Sequence, residues 1–263
     1  MMVCKVGGAN GNDIDNVLVD IANRKDWVMV HGGSKEVDDL AEALGRPPKF
    51  LTSPSGVVSR YTDKETMDVF TMALAGKLNT QIVARLRALG SNAIGLSGED
   101  GGLLVGRRKE AVRAVDNGRV LLVKDDHSGT VDSVNADLLS VLLRSGYTPV
   151  ISPPAITLQG ELINTDADRV AGMVAAALHA ETLLLFTNVP GLLREPSDPG
   201  SLIREVRKDE IEHFMQFAYG RMKKKMFAAK EALDGGVSRV VIASSAVEDP
   251  VERALSGLGT VIE

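Results

Sequence analysis

Lys5 in Lys5-Val6-Gly7-Gly8 and Lys225 in the run Gly220 to Lys225 are lysines set beside glycines, far apart in the chain, with the acidic turn Asp166-Ala167-Asp168 between them. Glycines let backbone N–H groups approach an anion closely, and a nearby lysine adds a full positive charge. Two such lysines held in place by an aspartate suit phosphoryl transfer, where positioning and charge neutralisation supply most of the catalysis. Taken alone, Lys-x-Gly-Gly fits a plain strand-to-helix turn with a solvated lysine better than it fits a phosphate site. It matches neither the P-loop nor the Gly-x-Gly-x-x-Gly dinucleotide pattern.

A second turn of the same kind follows Trp27-Val28-Met29-Val30: His31-Gly32-Gly33-Ser34. Ser34 is placed to cap the next helix, and the N–H groups of Gly32 and Gly33 to hold a carboxylate or its developing phosphate. Two such turns in one sheet put two anion sites on the same carboxyl edge. A carboxylate nucleophile needs no deprotonation near neutrality, so His31 reads as a structural residue rather than a general base. Arg60, in Ser59-Arg60-Tyr61-Thr62-Asp63, suits bidentate pairing with a substrate carboxylate, or a surface pair with Asp63. Asn164 offers donors and an acceptor to a substrate. Asp166 caps the following helix, which leaves Asp168 to hold two lysines. The stretch Asn188-Val189-Pro190-Gly191-Leu192-Leu193 ends an apolar run where a nucleotide can lie, with Lys225 directed at its phosphates.

Short β-rich runs alternating with helical patterns must position these residues, which predicts α/β layers around a largely parallel sheet. Core strands are expected at 2–6, 27–31, 92–96, 147–152, 181–187 and 239–243. Runs such as Thr182-Leu183-Leu184-Leu185-Phe186 lack polar alternation, as befits strands covered on both faces. The longest helix is expected to open at Thr62 with the capping box Thr62-Asp63-Lys64-Glu65. Its buried stripe runs through Met67, Phe70, Leu74, Leu78, Ile82, Leu86 and Leu89, and Gly90 stops it. Between 101 and 131, the runs Leu103 to Lys109 and Arg119 to Lys124 flank Asp116-Asn117-Gly118, which predicts a projecting β-hairpin.

The chain has 263 residues, 44% of them hydrophobic and 25% charged, enough for one large domain or two lobes. The single cysteine, Cys4, excludes an internal disulfide, and the four histidines show no metal-ligand spacing. No stretch reads as a signal peptide or bilayer span, so a cytoplasmic protein without a membrane partner is expected. The net charge of −5 argues against general nucleic-acid binding and leaves room for a local basic face.

Lys5-Val6-Gly7-Gly8, His31-Gly32-Gly33-Ser34, Arg60-Tyr61-Thr62-Asp63, Asn164 to Asp168, Asn188 to Leu192 and Met222 to Lys225 resemble, in order and across almost the whole chain, the amino acid kinase family. Within it the chain is similar to the N-acetylglutamate kinase branch. Phe50-Leu51-Thr52, Val58 to Asp63, Ala93 to Gly98, Val105 to Lys109 and Arg253 to Gly257 bring it closest to kinases acting on 2-aminoadipate or glutamate carried on the protein LysW. The resemblance implies a three-layer αβα sandwich, with an acyl-substrate lobe at 1–175, an ATP lobe at 176–263 and one continuous sheet. Lys5 and Lys225 become the transition-state lysines and Asp168 their organiser. Gly32, Gly33, Arg60 and Asn164 become substrate ligands; Gly7 and Gly8 face the transferring phosphate; Asn188, Val189, Pro190, Gly191, Leu192 and Leu193 line the nucleotide site. ATP with Mg²⁺, no protein-bound metal, an acidic LysW partner and a homodimer complete the expectation. Arg107, Arg108, Lys109, Arg221, Lys223 and Lys224 would then supply a basic docking face. Free N-acetylglutamate as substrate, and a binding module without turnover, are the alternatives.

Overall fold

The computed structural model describes residues 1–8, 11–54, 56, 58–116 and 118–263. Eight strands form its largest sheet, in the order Glu205–Val206, Thr260–Ile262, Arg239–Ser244, Thr182–Thr187, Met2–Val6, Trp27–His31, Thr148–Ser152 and Ala93–Ser97. All pairings are parallel except that of Arg239–Ser244 with Thr260–Ile262. The six apolar runs read from the sequence are all strands of this sheet. Glu205–Val206 and Thr260–Ile262 are too short to carry a periodic signal. The central strand Thr182–Thr187 is buried at every position, and each large apolar side chain sequestered this way contributes roughly 1.5–3 kcal/mol. Helices cover both faces, giving the expected three layers. One apolar cluster runs from Val3 through Val174 and Ala175 to Ile262. Residue 175 therefore lies within the buried face of helix Ala167–Ala177, which both halves of the sheet share.

The longest helical run extends from Lys64 to Ala88. Its cap is Asp63, whose Oδ1 accepts from Thr66 N at 2.8 Å, rather than Thr62. Thr62 is fully buried and used elsewhere: its N–H donates to Asp126 at 3.0 Å, its carbonyl accepts from His127 N at 2.6 Å, and its hydroxyl accepts from Asn164 at 2.9 Å. Met67, Phe70, Leu74, Ile82 and Leu86 are buried as the stripe requires, and Gly90 ends the run at φ +91°. The run is not uniformly α-helical: Met72–Leu78 is a π-helical segment, a widened turn of the kind often found beside functional sites.

The projecting hairpin differs from its expected pairing. Val112–Asp116 pairs with Arg119–Val123; Asn117, expected at the turn from the sequence, lies outside the described residues. Leu104–Arg108 pairs instead with Gly129–Val134 and Ala155–Thr157 in a second, four-stranded sheet. Burial explains the choice: Leu103 and Leu104 are fully buried, whereas Leu121 and Leu122 are exposed.

At the carboxyl edge two glycine turns touch backbone to backbone. A Cβ on Gly8 would lie 2.2 Å from Gly33 Cα, whereas one on Gly76 in the π segment would meet nothing within 4 Å. Gly8→Ala is therefore expected to lose about 1–3 kcal/mol through forced backbone movement, and Gly76→Ala to gain about 0.5–1 kcal/mol. Urea unfolding of the two variants checks the contrast.

Candidate active site

Lys5 closes strand Met2–Val6, Asp168 stands in the first turn of helix Ala167–Ala177, and Lys225 in the first turns of helix Arg221–Asp234. The fold brings these three distant residues together. Lys5 Nζ lies 2.8 Å and Lys225 Nζ 2.7 Å from the same atom, Asp168 Oδ1. All three side chains are buried. Asp166 accepts from the N–H groups of Asp168 and Arg169 at 3.0 and 3.3 Å, so it caps the helix and leaves Asp168 to the lysines.

The electrostatics follow from that geometry. Burial alone would push the Asp168 carboxyl up, but the ammonium groups of Lys225 and Lys5 together hold it far below the usual carboxylate range. Burial pulls Lys225 down to about 8, opposed by Asp168 and reinforced by Lys5. Two cations against one anion leave a net positive charge in a site shielded from water. A phosphate fits that surplus.

Contacts from this triad close a ring along the sheet edge. Lys5 Nζ would lie 3.6 Å from a Cβ at Gly7, and Gly8 abuts Gly33. Next to Gly33, the Ser34 carbonyl accepts from Arg60 Nη2 at 3.3 Å. Two residues on, Thr62 accepts from Asn164, and the Asn164 segment leads directly back to Asp168. Gly11 packs on Asn188, which brings the next strand's exit to the same edge. Ala9 and Asn10 lie outside the described residues.

Several expectations are refined. Gly32 N–H donates to Val6 O at 2.9 Å, so it is committed to the fold, while no described residue accepts from Gly33 N–H. Ser34 does not cap its helix; the cap position is Gly33, without a side-chain bond. Arg60 pairs with Asp38, not Asp63, and lies over the Phe50 ring at 5.4 Å. Asn188 is exposed and Val189 and Pro190 half-buried, while Gly191, Leu192 and Leu193 turn into the core. Leu192 N–H donates to Thr260 Oγ1 at 2.8 Å, which ties this loop to the core. His31 is fully buried, and burial lowers its pKa to about 4, in keeping with a structural role. Arg107 is bound bidentately by Asp132, Arg108 by Glu161 and two carbonyls, and Lys224 by Asp166. These three are partly neutralised.

Sequence reasoning missed Asp38, Asp126 and Asn79. Asp126 is 1% exposed and accepts from Thr62 N and Ser128 N. Its run Asp125-Asp126-His127-Ser128 carries only the generic signature of a polar loop.

The model of the amino acid kinase family matches residues 1–244. The chain belongs to this family. Over 266 residues it is 50% identical to a [LysW]-aminoadipate kinase of Deinococcus radiodurans, covering all of this chain and 91% of that protein. A [LysW]-aminoadipate kinase of Thermus thermophilus is 50% identical over 268 residues, with both chains fully covered. An acetylglutamate kinase of Methanopyrus kandleri is 39% identical over 264 residues, again across both full lengths. Among solved structures, N-acetylglutamate synthase from Neisseria gonorrhoeae, complexed with coenzyme A and N-acetyl-glutamate, shares the fold at a TM-score of 0.79 and 24% identity. That match covers 99% of this chain and 58% of the other.

With Lys225 at about 8, the ammonium is present below that pH and lost above it. The kcat/KM of this amino acid kinase is expected to fall on an alkaline limb near pH 8, and a Lys225→Arg variant to move that limb upward or remove it. Asp168, depressed below its usual range, contributes stability that is complete above about 3.8 and is lost as the pH falls further. Acid unfolding of wild type against Asp168→Asn is expected to show that difference.

Proposed function

We propose that this kinase transfers the γ-phosphoryl group of ATP to the side-chain carboxylate of 2-aminoadipate, held through its amino group on LysW, giving an acyl phosphate for lysine biosynthesis in the cytoplasm. The observation that carries the reading is the pair of buried ammonium groups on one oxygen of Asp168. Identity of 50% along the full length of two [LysW]-aminoadipate kinases supports the choice of substrate.

In this reading the acyl carboxylate lies between the Gly7-Gly8 and Gly32-Gly33 turns, with Gly33 N–H as donor, while Arg60 and Asn164 hold the rest of the amino acid. One carboxylate oxygen attacks the γ-phosphorus, the bond to the β–γ bridging oxygen breaks, and ADP departs with the electron pair. The carboxylate is already ionised, so no proton must move. Lys5 and Lys225 sit where negative charge spreads over the transferring group, and Asp168 keeps their separation fixed. Asn188 to Pro190 and the opening of helix Arg221–Asp234 face the nucleotide. Among the described residues no three acidic, histidine or cysteine side chains group as a metal cage. In this reading Mg²⁺ would be carried on the triphosphate, where it would supply further charge neutralisation.

A free α-amine would attack the acyl phosphate from within the same molecule, so an amide-blocked amine protects the product. A carrier protein supplies that block and needs a docking face. The Val112–Asp116/Arg119–Val123 hairpin offers one: Lys109, Arg113, Arg119 and Lys124 are exposed along it, and Arg113 stands opposite the exposed Leu122 in the register. An acidic carrier with an apolar spot complements it. Arg108, bound to the Asp126 and Lys124 carbonyls, braces the hairpin's base. The same reading makes the functional unit a homodimer, which sedimentation tests.

Acetylglutamate kinase activity is the second reading, supported by the 39% identical relative, and dual use of glutamate and aminoadipate is a third outcome. Hydroxylamine trapping of acyl phosphate with ATP and Mg²⁺ decides among them. Turnover is expected on carrier-linked aminoadipate; faster turnover of N-acetylglutamate would overturn the carrier assignment, and silence on every substrate would leave a binding module. Lys109→Glu with Lys124→Glu is expected to raise KM for the carrier-linked substrate at low salt, with the effect shrinking at high salt and ATP KM unchanged. Unaltered carrier kinetics at low salt would remove the hairpin from the docking face.

A further inference from the structure

His31 ends a central strand, is fully buried, and plays no part in the chemistry above. Its two ring nitrogens are nevertheless both engaged. Nδ1 lies 3.2 Å from the Gly32 carbonyl oxygen and Nε2 lies 3.1 Å from Asn79 Nδ2. Asn79, itself 5% exposed, also places Nδ2 3.0 Å from the Val150 carbonyl. A carbonyl only accepts, so the amide must present its NH₂ on this side. The opposite atom, Oδ1, sits against Gly95, where a Cβ would approach it to 2.0 Å. One amide proton goes to Val150 O and the other to His31 Nε2. Nε2 is therefore the acceptor, the ring proton is on Nδ1, and that proton is donated to Gly32 O.

The direction of this chain matters because of what it holds. The Gly32 carbonyl belongs to the same peptide as the Gly33 N–H, and across a trans peptide the two point opposite ways. A grip on Gly32 O from inside the sheet aims Gly33 N–H outward, toward the Gly7-Gly8 turn that Gly33 touches. The π segment reinforces the aim. Met72–Leu78 returns to α-helix at Asn79, which delivers Asn79 to His31. It also sets Leu74 and Leu78 where a Cβ on Gly33 would approach their Cδ2 atoms to 2.3 and 2.7 Å.

We infer that Asn79 and His31 are positioning residues, a buried hydrogen-bond relay that fixes the Gly32–Gly33 peptide so that Gly33 N–H meets the acyl oxygen as it takes up the phosphoryl group. This rests on the carboxylate-kinase reading. It adds that the widened turn of the long helix exists to serve a backbone donor on another element.

The test combines kinetics with a readout that needs no substrate. Asn79→Leu and His31→Leu remove the relay, whereas His31→Asn retains a donor, Nδ2, near the position of Nδ1. The two leucine variants are expected to lose roughly 10-fold or more in kcat on the acyl substrate, with ATP KM within about twofold, and His31→Asn to recover most of that loss. In ¹⁵N NMR of the substrate-free protein, wild-type His31 is expected in the neutral Nδ1–H form, and Asn79→Leu to shift the Gly33 amide resonance. Leucine variants that fold and keep wild-type kcat would overturn the inference, as would an Nε2–H tautomer in the wild type. A His31→Asn variant as slow as His31→Leu would overturn the inference too, since a donor kept near Nδ1 would then not restore the rate. If no substrate turns over, the functional reading fails, while the tautomer and the Gly33 shift still decide the relay.

Discussion

Asp168 Oδ1 accepts from two buried ammonium groups at once, and much of the surrounding architecture exists to tolerate that arrangement. Burying charge is costly unless it is paired. Here one anion answers two cations, so the site carries an unmet positive charge that an incoming phosphate satisfies. Removing Asp168 would leave two like charges facing each other in a dry site. The depressed Lys225 pKa, about 8, is the mark of that tension: burial and Lys5 work against its charge while Asp168 preserves it. Binding energy held back in this way is released when charge develops on the transferring group.

The sheet supplies the geometry. Parallel strands Met2–Val6 and Trp27–His31 end together, in the register Val6 with His31, so their exit turns meet as backbone on backbone at Gly8 and Gly33. Only residues without Cβ allow that approach. The long helix, with the Thr62 that precedes it, then closes the site from the side through Asn79 and the π segment. Asp126, Thr62 and Asn164 form a hydrogen-bonded hub that ties the base of the projecting hairpin to the substrate side of the ring. Scaffold and site are thus one hydrogen-bonded system along the carboxyl edge.

Much of this was legible in the sequence. Apolar runs announced six of the eight strands: the five inner ones because parallel strands buried on both faces need no alternation, and the partly buried edge strand Ala93–Ser97 by its apolar run alone. The glycine pairs announced both turns, since closely packed backbone leaves few other residue choices. Lys5, Asp168 and Lys225 were legible as chemistry, but their convergence on one oxygen was not, because it depends on helix packing across more than half the chain. Thr62 misled as a cap: a threonine followed three residues later by a glutamate fits a capping box, and only tertiary bonding to Asp126 and Asn164 diverts it. Arg107 and Arg108 misled as free charges because their partners, Asp132 and Glu161, stand on strands and turns distant in sequence. Asn79 gave no local signal, being a polar residue in an otherwise amphipathic helix.

The central claim is that Lys5 and Lys225 act as one unit around Asp168 during transfer. A double-mutant cycle on single-turnover rates, with Lys5→Ala, Lys225→Ala and both together at saturating ATP and acyl substrate, tests it most directly. Each single change is expected to cost about 10²–10³-fold, and the double change little more than the worse single, as residues acting as a unit behave. Fully multiplicative losses, or a single variant that keeps the wild-type rate, would contradict the account.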